Sequence, residues 1–247
     1  MVRGDVVYKL LHGDCLELMK NVESKSVDMI LCDLPYGCTA RNKWDTIIPF
    51  EPLWAQYKRI IKDNGAIVLF ASGMFTAELM ISNQSMWRYN LIWEKTQPTG
   101  FLNAKKMPLR SHEDICVFYN KLPTYNPQKS TGHQRKVSKA EHKIGCKHTT
   151  DYGEHGLTTY DSTERYPKSV WKFAKDVQKM ALHPTQKPIA LLEELIKTYT
   201  NEGDLVLDNC MGSGSTGVAA LNLNRNFIGM ELDENYFNIA KARIENS

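Results

Sequence analysis

Asp208-Asn209-Cys210-Met211-Gly212-Ser213-Gly214-Ser215-Thr216-Gly217 is the stretch that decides the fold of this chain. The apolar run at 205–208 predicts a strand before it, and the pattern at 215–223 predicts a helix after it. Between them the glycines fall as G-x-G-x-x-G, the spacing of a nucleotide-binding βα turn. Glycine permits the tight turn and lets a ligand approach the backbone. The first N–H groups of the helix have no intrahelical partner and face that ligand. Residues 227–230 predict the next strand, and Glu231 ends it. An acidic residue about 20 positions beyond such a loop can accept from ribose hydroxyls. The plainer alternative is a glycine-rich turn that only packs a helix against a strand. A nicotinamide or flavin dehydrogenase would place this loop at the start of a longer βαβαβ unit. Here the chain ends soon after the second strand and its helix, so the rest of the sheet must come from earlier sequence.

That earlier sequence alternates. Strands are predicted at 6–11, 27–32, 66–70, 89–93 and 115–119, and helices at 15–20, 52–61 and 74–81. A further amphipathic helix is predicted at 188–199 and a final one at 234–244. The alternation implies an α/β domain with a largely parallel sheet and helices on both faces. Residues 121–181 break the pattern. They have few aliphatic runs and are rich in Lys, Arg, His, Thr, Gly and Tyr, including Lys129, Arg135, Lys136, Arg165, Lys168, Lys172 and Lys179. A structureless loop of that length is unusual inside a compact domain. The expectation is one α/β domain made of 1–120 and 182–247, with 121–181 as an inserted lobe.

The run at 27–32 ends at Asp33-Leu34-Pro35-Tyr36-Gly37. In an open parallel sheet the carboxyl end of a strand is where ligands bind. Pro35 stiffens the turn and keeps Leu34 out of the helical region. The turn offers a carboxylate, a backbone carbonyl and an aromatic ring. That set suits an exocyclic amino group on a nucleobase. Two acceptors on its N–H bonds would localise a nitrogen lone pair otherwise delocalised into the ring, and Tyr36 would stack on the base. Such a base must first leave its duplex. The plain alternative is an ordinary βα turn with Asp33 as a helix cap.

Together these residues resemble the circularly permuted β-class amino-methyltransferases of DNA. In that family a [DNS]-P-P-[YFW] motif precedes a target-recognition region, and the cofactor loop follows. This chain has Asp33-Leu34-Pro35-Tyr36, then the basic 121–181 segment, then residues 208–217. His183-Pro184-Thr185-Gln186-Lys187-Pro188 also resembles the segment that precedes the family's cofactor loop. The resemblance implies a Rossmann-like sheet that binds S-adenosylmethionine and methylates double-stranded DNA at N6 of a flipped adenine. It implies that Asp33, the Leu34 carbonyl, Pro35 and Tyr36 hold the target amine. Asp208, Gly212, Ser213 and Gly214 would contact the methionine part of the cofactor, Glu231 its ribose, Thr185 its carboxylate region and Asp14 its adenine. Trp93-Glu94-Lys95 and Arg110-Ser111-His112-Glu113 resemble segments that line the base pocket. The second motif position is Leu34 where the family has Pro. An Asp at the first position leans toward adenine, whereas N4-cytosine enzymes more often carry Ser. The alternatives are an N4-cytosine enzyme and an inactive protein that binds DNA or S-adenosylmethionine. The resemblance also leaves room for a homodimer and for a cognate restriction endonuclease.

Composition excludes little. A net charge of +3 with 42% hydrophobic residues permits nucleic-acid binding without requiring it. A cytosine-C5 enzyme needs a thiolate nucleophile, usually after a proline, and none of the 6 cysteines follows one. His142, Cys146 and His148, with His133 or His155, lack the tight pairs of a zinc site, so no metal is expected. Unpaired cysteine spacings and the lack of a membrane-length apolar run lead to the expectation of a cytoplasmic protein.

Overall fold

A computed structural model describes residues 2–3, 6–37, 46–138, 159–174 and 186–247. Its contacts divide the chain into a larger unit, Met1–Asn126 with Ser169–Ser247, and a smaller one, Pro127–Lys168.

The strands are β1 (Val2–Arg3), β2 (Val6–His12), β3 (Val27–Cys32), β4 (Ile61–Ala71), β5 (Trp87–Thr99), β6 (Arg110–Phe118), β7 (Lys136–Ser138), β8 (Tyr160–Ser162), β9 (Val170–Phe173), β10 (Leu205–Asp208) and β11 (Asn226–Glu231). The helices are α1 (Cys15–Leu18), α2 (Phe50–Ile60), α3 (Met74–Ser82), α4 (Ile189–Tyr199), α5 (Ser215–Asn222) and α6 (Glu234–Glu245). The larger unit is built on a sheet of order β1-β2-β11-β10-β3-β4-β6-β5-β9. From β2 through β4 every pairing is parallel. The sheet is largely parallel, as expected, with a local exception at β6, which runs antiparallel to both β4 and β5. Sequence periodicity is the same for a strand read in either direction, so it could not show this reversal.

Both faces are covered, which is why the central strands are nearly continuous apolar runs. Met29 and Leu31 of β3 and Val68 and Phe70 of β4 join the layer under α4, α5 and α6. Their neighbours Ile30, Cys32, Ile67 and Leu69 join the layer under α1, α2 and α3. This alternation is the two-residue period of a strand.

The chain runs from β10 through α5 to β11 in one direction along the sheet, and from β3 through α2 to β4 in the other. The order therefore reverses between β10 and β3. A crevice opens outside the carboxyl ends of strands at such a switch point.

The smaller unit is narrower than the 121–181 expected for the inserted lobe. Lys121 pairs with Asp63, and Asn126 donates to the carbonyls of Lys197 and Thr200, so this end belongs to the larger unit. At the other end β9 adds in parallel to β5, and the Trp93 indole donates to the Phe173 carbonyl at 3.0 Å. Within the smaller unit β7 and β8 form an antiparallel ribbon, closed by a two-point contact of Arg135 with Asp161.

Gly217 lets α5 approach its neighbours. A Cβ there would lie 2.5 Å from Ile244 and 2.7 Å from Phe227, both fully buried. Gly217→Ala should destabilise the protein by about 1–3 kcal/mol through overpacking, which exceeds the roughly 1 kcal/mol gained in helix propensity only if neither neighbour can yield. Urea unfolding checks this: the midpoint should fall, and a midpoint that rises would show that the contact relaxes.

Candidate active site

The predicted site residues that the structure describes sit on one edge of the sheet. Asp208 ends β10 and Asp33 follows β3, the two parallel strands that flank the switch point. Glu231 ends β11, and Asp14 follows β2. Because β6 is reversed, its first half lies on this edge too, with Glu113 paired opposite Trp93 of β5.

The glycine loop has the shape expected of a ligand cradle. Gly212 and Gly214 have φ of 52° and 80°, the left-handed region that an L side chain resists. Glu231 braces the loop from the next strand: one carboxylate oxygen accepts from Gly212 N–H at 2.9 Å, the other from Asp233 N–H at 2.9 Å. Burial pushes the Glu231 carboxyl up, against the pull of those backbone donors. Asp208 is buried and accepts from Cys210 N–H at 3.0 Å. Burial pushes its carboxyl up to about 6, opposed by hydrogen bonds from Thr216 and Cys210 and reinforced by the charge on Asp33. Arg243 of α6 donates to the carbonyl and hydroxyl of Ser213, fixing the middle of the loop. Asp14 caps α1 by accepting from Leu16 N–H at 2.8 Å. A capping role and a ligand contact are compatible, since a carboxylate has two oxygens.

Asp33 is held on both sides. The Tyr36 hydroxyl donates to Oδ1 at 2.7 Å, and the Lys187 ammonium donates to Oδ2 at 2.5 Å. Lys187 also lies 3.2 Å from Glu113, which in turn pairs with Lys95. Two cations and two carboxylates thus form one chain of contacts from four segments. Lys187, Glu113 and Lys95 have side-chain exposures of 8%, 15% and 7%, and Asp33 has 27%, so Asp33 is the member that opens to solvent. Burial alone would push Glu113 up, but Lys187 and Lys95 outweigh it and hold the carboxyl low. Burial likewise opposes the charge on Lys187, and Asp33 and Glu113 reverse that and raise its pKa, so it stays an ammonium ion. Burial and the nearby carboxylates of Asp33 and Glu113 push the Tyr36 phenol well above its usual value, so it remains a donor. Its ring stacks on Phe75 at 5.0 Å and 29°, and Lys187 lies 5.0 Å from the centre of the Phe70 ring. Leu34 is buried among the apolar residues under α1, α2 and α3, which leaves its backbone as the part of that residue relevant to a ligand.

The structure brings together Asp14, Asp33, Leu34, Pro35, Tyr36, Asp208, Gly212, Ser213, Gly214 and Glu231 along one edge. Thr185 lies outside the described residues, as do His142, Cys146, His148 and His155. His133 contacts the Ser130 hydroxyl at 2.6 Å. Among the described residues no group of His, Cys, Asp and Glu is arranged to hold a metal, and no helix is long and apolar enough to cross a membrane. Sequence reasoning assigned no role to Lys187, Glu113 or Lys95. The clue available was their place in the segments at 183–188, 110–113 and 93–95.

Comparison with known proteins agrees with this geometry. The N6/N4 methyltransferase family model described as DNA methylase matches residues 27–242. Type II methyltransferase M2.MboI of Moraxella bovis is 27% identical over 266 residues, covering 97% of this chain and 88% of that protein. DNA adenine methyltransferase YhdJ of Escherichia coli (strain K12) is 27% identical over 263 residues, covering 98% and 84%. The crystal structure of an M1.HpyAVI–SAM complex superposes with a TM-score of 0.66 at 26% identity, covering 96% of this chain and 99% of that one.

Asp208 yields a stability test. Its folded carboxyl holds a proton up to about pH 6, whereas the ordinary value is 3.8. Ionisation is therefore harder in the folded state, and stability is lost as pH rises through that window, on the order of 3 kcal/mol in all. Asp208→Asn keeps an acceptor for Cys210 N–H and removes the titration. Between about pH 4 and pH 7 the variant should gain on the wild type in urea midpoint. A gap that does not change with pH would contradict this account of Asp208.

Proposed function

This chain belongs to the DNA methylase family, and from that premise we propose that it transfers a methyl group from S-adenosylmethionine to N6 of an adenine flipped out of double-stranded DNA. The observation that carries the reading is the placement of the Asp33–Tyr36 turn beside the glycine loop, on adjacent parallel strands at the switch point. The adenine assignment is supported by Asp at position 33 and by likeness to a protein named a DNA adenine methyltransferase.

The donor set suits the cofactor: carboxylates of Asp208, Glu231 and Asp14 and a glycine turn whose backbone is left-handed at Gly212 and Gly214. Gly214 also lets the turn pack on α6, where a Cβ would meet Ala240 at 3.0 Å. Asp208, Ser213 and the Gly212–Gly214 backbone would hold the methionine portion, Glu231 the ribose and Asp14 the adenine, with Thr185 near the carboxylate. S-adenosylmethionine supplies an electrophilic methyl group on a sulfonium centre.

The protein's own task is to make a poor nucleophile attack in line. Each oxygen of Asp33 already accepts one hydrogen bond and keeps a second lone pair. Asp33 would accept one N–H of the target amine and the Leu34 carbonyl the other, which localises the nitrogen lone pair. Tyr36 and Phe75 offer an aromatic platform beside the base. The methyl group would be supplied by S-adenosylmethionine, its S–C bond giving way to the new N–C bond, and the extra proton on nitrogen would pass to water. Positioning and preorganised charge supply the rate.

The basic segment at 121–181 is the target-recognition lobe in this reading, supported by Lys136 and Lys168, alongside pairs such as Arg135–Asp161 that hold its fold. A cognate restriction endonuclease is part of the same reading, supported by the Type II name of M2.MboI. A homodimer rests on the resemblance alone, and a cytoplasmic location on the unpaired cysteine spacings and the lack of a membrane-length apolar run.

Labelled S-adenosylmethionine and unmethylated duplex DNA test the proposal, with the product digested to nucleosides and weighed. N6-methyladenine is expected. N4-methylcytosine would keep the mechanism and change the base, and no transfer with cofactor still bound would sink the enzyme reading. Asp33→Ala should lower kcat by on the order of 10²-fold or more. Lys187→Met, which leaves the acceptor misplaced, should cost roughly 10²-fold in kcat with a much smaller change in cofactor affinity. Equal losses in both would assign Lys187 to the cofactor pocket instead.

A further inference from the structure

The β5–β6 hairpin carries a feature that no role above uses. Beyond the last strand pair, Thr99 with Arg110, Gly100 turns the chain at φ 94° into a short 3₁₀ turn, Phe101–Asn103. The tip is held by its own backbone: Lys106 and Met107 N–H both donate to the Asn103 carbonyl. It nevertheless presents large apolar side chains to water. Phe101 is 67% exposed, Leu102 101% and Met107 56%. Lys105, Lys106 and Arg110 lie among them, and the segment 101–110 contains no acidic residue.

An ordered tip that exposes clustered apolar groups marks a surface with a partner. Its uniform positive charge selects a polyanion. Its position selects which one. The same two strands carry Lys95 and Glu113, which join Asp33 through Lys187. From Glu113 to Arg110 the strand advances about 10 Å, so the tip stands beyond the proposed base pocket on the same edge of the sheet. A base drawn into that pocket leaves a gap in its stack, and apolar side chains are what proteins insert between base steps.

We propose that the 100–110 hairpin tip is a DNA wedge, in which Phe101 and Leu102 enter the base stack beside the extruded nucleotide while Lys105 and Lys106 grip the flanking phosphates. This rests on the methylation reading above. The wedge lowers the cost of opening a paired site and contributes little once the site is open.

The test uses the full-length enzyme and two duplexes carrying the sequence that the wild type methylates. In one duplex the target base is paired; in the other it faces an abasic position. For F101A/L102A, the ratio of kcat/KM on the abasic-opposed duplex to that on the paired duplex should rise roughly tenfold, as expected if part of the unstacking cost is no longer met. A ratio equal to that of the wild type overturns the wedge, whatever the absolute rates. K105A/K106A should flatten the slope of log affinity against log salt by about 1.8, the value for two phosphates, measured by fluorescence anisotropy on the paired duplex. An unchanged slope overturns the grip and favours a protein partner for the apolar tip. The salt slope comes from phosphate contacts and can be measured equally on a duplex of arbitrary sequence, so the anisotropy arm reports on the hairpin separately if the wild type transfers no methyl group to DNA.

Discussion

The Lys187 ammonium, seated between Asp33 and Glu113, is the contact on which the site depends. A buried cation is costly unless it is paired and hydrogen-bonded. Here each carboxylate has a cation and each cation a carboxylate, so the group is neutral as a whole. Removing one member of such a cluster leaves an uncompensated charge and costs about 3–5 kcal/mol. The cluster therefore fixes more than the Asp33 rotamer. It ties the segment before α4 to β5, β6 and the turn after β3, and its Lys187 ammonium lies over the rings of Tyr36 and Phe70. Asp33 is thus held in one orientation by fixed partners, which is the condition for electrostatic preorganisation.

The sheet topology supplies the second constraint. The glycine loop follows β10 and the Asp33–Tyr36 turn follows β3, although the strands are far apart in sequence. Their direct pairing, Val206 with Met29 and Leu207 with Ile30, brings the two loops together. Insertion of the smaller unit between Asn126 and Ser169 does not disturb this, because the chain leaves after β6 and returns at β9, on the far side of β4 from the switch point. The order of motifs along the chain is thus free to be permuted, while their order across the sheet is not.

Legibility in the sequence followed the range of the interactions. The strands at 27–32 and 205–208 stood out because burial on both faces demands unbroken apolar runs, and their observed bounds agree. The glycine loop was legible because left-handed φ at Gly212 and Gly214 restricts residue choice locally. Lys187 was not legible as a partner of Asp33. The two lie 154 residues apart, and an ion pair at that separation imposes no local pattern. The reversal of β6 was hidden for a related reason: apolar alternation carries no direction. The smaller unit is narrower than the basic segment, and at one end the reason is Val170–Phe173, a short edge strand exposed at alternate positions and flanked by charge. Composition alone could not separate it from the basic segment before it.

Leu34 shows how far chemistry constrains a residue at such a site and where packing takes over. The family motif has proline at this position, and the atom that the proposed reaction needs is the backbone carbonyl. In this chain the Leu34 side chain is 3% exposed and packs in the apolar layer that also holds Cys15, Leu53 and Phe75. Substitution there exchanges one apolar filler for another and leaves a carbonyl in the turn. Pro35, next in line, biases Leu34 toward the extended backbone that presents this carbonyl. The rigidity that two prolines would give is supplied by one proline, a buried leucine and the Tyr36–Asp33 hydrogen bond. In the proposed reaction the turn is therefore defined by the carboxylate, carbonyl and ring it presents rather than by the letters that usually encode them.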